Sequence, residues 1–85
     1  MSSTPFTLDD LAPILVASAG DDSVDFAAGI DTDFESLGYD SLTLLEISSR
    51  IERQYGISLD DSPLTATDTP RELIESVNGL LTATV

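Results

Sequence analysis

Asp40-Ser41-Leu42-Thr43-Leu44-Leu45-Glu46-Ile47-Ser48-Ser49-Arg50-Ile51-Glu52-Arg53-Gln54-Tyr55-Gly56 is the stretch that decides the fold. Leu44, Ile47, Ser48, Ile51 and Tyr55 recur at i, i+3, i+4, i+7 and i+11, which predicts an α-helix over Ser41 to Tyr55 with one inward stripe. Asp40 stands where a cap belongs, and Gly56 falls just past the last turn. Leu42, Leu45, Glu46, Ser49 and Arg53 lie on neighbouring faces. A helix with a single apolar stripe must bury it against something, so the flanking sequence has to supply partners.

Upstream, Gly20 to Asp40 is rich in Asp, Gly and Ser, with Val24, Phe26, Ile30, Phe34 and Leu37 scattered through it. It reads as a long loop. A connection of that length is uncommon unless it is functional or tied down by its own side chains, and Phe34 with Leu37 predicts a short anchoring turn. Before it, Phe6-Thr7-Leu8-Asp9-Asp10-Leu11 reads as a helix start, with Thr7 as cap, acids in the first turn and Phe6 stapled to Leu11. Leu8, Leu11, Leu15 and Ala19 continue at helical spacing to a stop at Gly20. Pro13 removes a donor inside this helix and predicts a local kink.

Downstream, Ile57 and Leu59 read as plugs into the core, and Pro63-Leu64-Thr65-Ala66 as a short helical turn. Thr69-Pro70-Arg71-Glu72 then forms a capping box with proline at the first helical position. Leu73, Ile74, Val77, Leu80 and Leu81 give the last helix its apolar face. The expected fold is all-α: a bundle of three main helices plus a short extra one, with a long loop between the first and second helices. One domain over 1–85 is expected, with flexible ends at 1–5 and 83–85, because so short a chain has little apolar material for a second core.

Composition narrows function. The chain has sixteen acidic residues against three arginines, no lysine and no histidine, for a formal charge of -13. Nucleic acid and anionic membrane surfaces are repelled by such a charge, so the expected partners are proteins with basic patches and the expected state is a monomer. No cysteine means no disulfide and no thiolate metal site; no histidine removes the commonest general base. Catalysis by this chain alone is not expected. The apolar runs fall short of a membrane span and the N-terminus lacks a basic then apolar leader, which makes the cytoplasm the expected location.

Chemistry concentrates in Asp33-Phe34-Glu35-Ser36-Leu37-Gly38-Tyr39-Asp40-Ser41-Leu42, which puts a serine at a loop-to-helix junction. A hydroxyl there is open to an incoming enzyme, and the helix start offers unpaired N–H groups and positive potential to an anion such as a phosphodiester. Taken alone, a serine at this place is more often a solvated helix-start residue. For Leu45 the competing role is core packing, and for Glu46 and Glu52 a solvated helix face.

Gly38-Tyr39-Asp40-Ser41-Leu42 resembles the Asp-Ser-Leu attachment motif of acyl carrier proteins, and the order and spacing of elements agree over nearly the whole chain. The resemblance implies that a phosphopantetheinyl transferase moves 4′-phosphopantetheine from coenzyme A onto Ser41, flanked by Asp40 and Leu42. The reactive thiol then comes from the cofactor, in keeping with a chain lacking cysteine. The resemblance places Leu45, Glu46 and Glu52 at the surface met by partner enzymes, and Leu44, Ile47 and Ile51 around an acyl-chain cavity. Tyr39 and Thr69-Pro70-Arg71-Glu72-Leu73 are most similar to discrete carriers of bacterial type II (aromatic) polyketide synthases; fatty-acid carriers more often have alanine at the tyrosine. Implied partners are the malonyl transferase, ketosynthase/chain-length factor, ketoreductase and aromatase/cyclase, to which malonyl and poly-β-ketoacyl thioesters are delivered. Arg50 and Arg53 depart from the more uniformly acidic central helix of fatty-acid carriers.

Competing functions are a fatty-acid or peptidyl carrier and, in another class, an unmodified acidic helical adaptor. A calcium loop starting at Asp31 fails, since Ser36 stands where glycine is needed and Leu42 where the terminal glutamate belongs. A serine hydrolase fails for want of a Gly-x-Ser-x-Gly elbow and a histidine.

Overall fold

A computed structural model describes residues 5–20, 25–59 and 64–83. Three helices follow one another: α1 (Leu8–Ala19), α2 (Ser41–Tyr55) and α3 (Pro70–Ala83), with α1 packed on both others. No strand occurs among the described residues. The fold is all-α, as the periodicity predicted.

Each helix begins where its side chains say it should. The Asp10 carboxylate accepts from the Thr7 N–H at 3.0 Å and from its hydroxyl at 3.1 Å. At α3 the box closes in both directions: Thr69 Oγ1 accepts the Glu72 N–H at 3.1 Å, and Glu72 Oε1 accepts the Thr69 N–H at 3.0 Å. A cap of this kind contributes on the order of 1 kcal/mol. α2 ends at Gly56, whose φ of +66° is the left-handed conformation glycine adopts without a Cβ penalty, and whose N–H reaches the Glu52 carbonyl at 2.9 Å. α1 runs continuously through Pro13.

The inward stripes meet in one core. Leu11, Ile14 and Leu15 of α1, Leu44, Ile47 and Ile51 of α2, and Leu73 and Val77 of α3 are all buried, with Leu59 as the plug expected after α2. Phe6 and Leu11 both join this core, and Phe6 also meets Tyr55 edge-on, ring centroids 5.1 Å apart.

The long loop is held by bonds far apart in sequence. Phe34 N–H donates to the Asp68 carbonyl at 2.9 Å, Glu35 N–H to that of Ala66 at 3.0 Å, and Arg71 N–H to that of Ile30 at 3.0 Å. Phe26, Phe34 and Tyr39 are buried, the latter two rings stacked 5.7 Å apart. The expected turn at Phe34 and Leu37 is present: Leu37 N–H donates to the Asp33 carbonyl at 3.1 Å.

The short extra helix does not occur among the described residues. Thr65 to Asp68 forms a turn, closed from Asp68 N–H to the Thr65 carbonyl at 3.1 Å, while the Asp68 carboxylate takes the Thr65 N–H at 2.9 Å. The carbonyls of Ala66 and Asp68 serve the loop instead of a helical ladder. Pro63 lies outside the described residues, as do Val24 and the expected flexible ends apart from Pro5 and Ala83; Ala83 closes α3.

Asn78 fixes the N-terminal segment to α3. Its Oδ1 accepts the Phe6 N–H at 2.7 Å and its Nδ2 donates to the Phe6 carbonyl at 2.8 Å. Asn78→Ala strands both partly buried backbone groups, so thermal unfolding should show a loss of about 1–3 kcal/mol. An unchanged melting temperature would refute this.

Candidate functional site

Ser41 is the first residue of α2 and is exposed. It reaches that position through a tight approach. Gly38 adopts φ +90°, a conformation closed to most side chains, and Tyr39 N–H returns to the Phe34 carbonyl at 3.0 Å. Tyr39 is then driven into the core while Asp40 and Ser41 emerge into solvent. Tyr39, buried and stacked on Phe34, anchors the chain two residues before the hydroxyl.

Asp40 caps the helix: its Oδ1 accepts the Thr43 N–H at 2.8 Å. That backbone bond, reinforced by the Thr43 hydroxyl, holds the Asp40 carboxyl below the usual carboxylate range. The stabilising contribution of a depressed carboxyl is present above its unfolded value near pH 4 and fades as pH falls through the lower folded one. Asp40→Asn keeps a capping oxygen that does not titrate over this range, so between pH 6 and pH 3 its melting temperature should fall less than the wild type's. Parallel thermal melts at the two pH values check this, and equal falls would remove Asp40 from the acid response.

Two leucines flank the hydroxyl on the outer surface, Leu42 at 76% and Leu45 at 63% exposure. Leucines so open are not core residues, which removes the packing role for Leu45 and leaves an exposed apolar spot beside Ser41. Glu46 is exposed beside it and pairs with Arg50, Oε1 to Nε at 2.9 Å. Glu52 is half-buried, and its Oε2 accepts the Leu59 N–H at 2.7 Å. It tethers the chain after α2, a role that periodicity does not display.

Below Ser41 a groove of about 480 Å³ runs between α2 and the segment after it. Leu44, Leu45, Leu59, Leu64 and Ala66 give it apolar walls; Ser48, Ser49, Glu52 and Thr65 add polar ones. Of the three residues expected around an acyl cavity, Leu44 borders this groove. Ile47 and Ile51 do not line it: both are fully buried in the core between the helices.

An exposed hydroxyl at a helix start, beside exposed leucines and above an amphipathic groove, suits a tethered group that carries an acyl chain. The sequence matches the phosphopantetheine attachment site family over residues 15–77. The chain belongs to the phosphopantetheine-bearing acyl carrier proteins. Several of its relatives are polyketide synthase acyl carrier proteins. The monensin polyketide synthase acyl carrier protein of Streptomyces virginiae is 56% identical, over 98% of this chain and 96% of its own length. The actinorhodin polyketide synthase acyl carrier protein of Streptomyces coelicolor is 45% identical over 92% and 93%. The solution structure of malonyl acyl carrier protein from the actinorhodin synthase superposes with a TM-score of 0.80 at 44% identity, covering 99% of this chain and 100% of that one. That carrier has also been solved bearing a 3,5-dioxohexyl group as a triketide mimic. An acyl carrier protein holds substrate for the other enzymes of its synthase and is not itself a catalyst.

Proposed function

We propose that Ser41 is the attachment point of 4′-phosphopantetheine, and that the protein, one domain over 1–85, carries malonyl and poly-β-ketoacyl groups through aromatic polyketide synthesis. The observation that carries this reading is the hydroxyl itself, exposed at a capped helix start with Leu42 and Leu45 open beside it. The malonyl and triketide-mimic forms of the actinorhodin relative support the cargo.

Loading joins Ser41 Oγ to the phosphorus of the phosphopantetheinyl group of coenzyme A and breaks its bond to the departing 3′,5′-ADP. The Ser41 proton leaves to a base of the transferase, since this chain has no histidine and Asp40 is engaged by Thr43. The new phosphodiester lies against the first turn of α2, where the helix dipole favours an anion. The attached arm supplies a thiol that holds the acyl group as a thioester. Leu45 and Glu46 present the surface that enzymes meet, and Leu44 with the groove walls offers shelter to a short acyl chain. The partners in this reading are the phosphopantetheinyl transferase, malonyl transferase, ketosynthase/chain-length factor, ketoreductase and aromatase/cyclase. Among the described residues no helix is long and apolar enough to cross a membrane, and a cytoplasmic carrier fits that.

Incubation with coenzyme A and a broad-specificity phosphopantetheinyl transferase should add one phosphopantetheine to the intact mass. No adduct across several active transferases would reject the carrier role and favour an unmodified adaptor.

A further inference from the structure

The three arginines of this acidic chain are unevenly placed. Arg50 and Arg53 both line the groove between α1 and the second half of α2, which measures about 640 Å³ and has Pro13, Ile14 and Tyr55 along its walls. Arg50 lies along Glu46 in an exposed i,i+4 pair, its side chain 39% open to solvent. Such pairs are weak in water and yield to a better-fitting carboxylate. Arg53 is exposed, and its Nε donates to the Ser49 carbonyl at 3.3 Å. Among the described residues, no carboxylate lies within ion-pair distance of Arg53. On the α1 side Asp9 and Asp10 line the same groove, Asp10 accepting from Thr7, so an incoming acid is seated on the α2 side against the two guanidiniums.

We propose that the chain-extending enzyme of the synthase docks with one of its own acidic side chains seated between Arg50 and Arg53, and an apolar neighbour of that acid resting on Pro13 and Tyr55. The choice of partner rests on the carrier reading of Ser41, because a carrier must meet the extending enzyme once for every unit added. Complementarity to a charge of -13 makes such an enzyme basic over most of its contact. At the two guanidiniums a uniformly basic surface is repelled, whereas a carboxylate is gripped by the planar fork of arginine. Arg53 lies roughly 18 Å along α2 from Ser41 at the helical rise per residue. An acid placed there therefore fixes the rotation of the carrier about the entry point of its arm, which a diffuse attraction between opposite charges cannot do.

The test turns on the sign of an effect. Wild type, Arg53→Glu and Gln54→Lys are loaded to completion, as shown by intact mass. Their dissociation constants for the purified ketosynthase/chain-length-factor pair are then measured at low ionic strength, where screening is weak. A groove that takes a carboxylate requires Arg53→Glu to bind about tenfold more weakly, and Gln54→Lys a few-fold more tightly. If general attraction to a basic enzyme were the whole interaction, the extra acid would tighten binding and the extra lysine would weaken it. Unchanged or tighter binding by Arg53→Glu, or weaker binding by Gln54→Lys, overturns the docking proposal while leaving the carrier intact. A wild-type chain that takes no arm overturns the carrier reading beneath it.

Discussion

Ser41→Ala should take up no phosphopantetheine, even after prolonged incubation with coenzyme A and an active transferase, while unfolding within about 0.5 kcal/mol of the wild type. Loss of loading is expected to be complete, because alanine has no oxygen to join to phosphorus. The fold is spared because Asp40, not Ser41, accepts the Thr43 N–H. Ser41 is exposed, and alanine is the best helix former for an exposed helical position. The neighbouring serines are poorly placed to substitute: Ser36 Oγ donates to the Asp33 carboxylate at 2.8 Å, and Ser48 and Ser49 lie further along α2. Intact mass separates the outcomes. An adduct on Ser41→Ala would move the site to another hydroxyl, and a large drop in melting temperature would give Ser41 a structural role that its exposure argues against.

The parts of this fold legible in the sequence are those written locally. The α2 stripe, the Asp40 cap, the Gly56 stop and the Thr69 capping box each depend on residues within about one turn of one another, so spacing alone locates them. The serine was legible for the same reason, since cap and helix start are adjacent in the chain. What periodicity does not show is pairing between distant backbone groups. The bonds from Phe34 to Asp68 and from Arg71 to Ile30 join segments separated by the whole of α2. They turn a stretch that reads as open loop into a fixed wall, and they divert the carbonyls around Ala66 from a short helix.

Side chains with two possible employments were the other gap. Glu52 reads as a partner-facing or solvated acid, yet it holds Leu59. Asn78, outside the apolar spacing that marks α3, clamps Phe6. A signal for Asn78 was present: it shares the helix face of Ile74, Val77 and Leu81, and an amide on an inward stripe needs a buried partner. Ile47 and Ile51 show the converse, since an apolar stripe does not reveal whether it faces a cavity or a packed core. The structure buries both among the helices, as the stripe predicts.

Phe34→Ala should be the most damaging single change, lowering the melting temperature by about 15 °C or more. Phe34 is fully buried, stacked on Tyr39, and sits where the loop bonds to the turn before α3. Truncating such a ring removes its transfer free energy and leaves a cavity, a cost of about 3–5 kcal/mol. For a domain of this size each kcal/mol moves the midpoint by several degrees, and total stability is only about 5–15 kcal/mol. The consequence for function is indirect and separable. Phe34 touches neither the hydroxyl nor the groove below it, so loading should persist at temperatures where the variant stays folded and vanish as it melts, whereas Ser41→Ala stays unloaded at every temperature. Circular dichroism and intact mass taken over the same temperature series would show this coupling. If Phe34→Ala melted like the wild type, the loop would owe its order to backbone bonds alone, and the aromatic stack would add nothing to the fold.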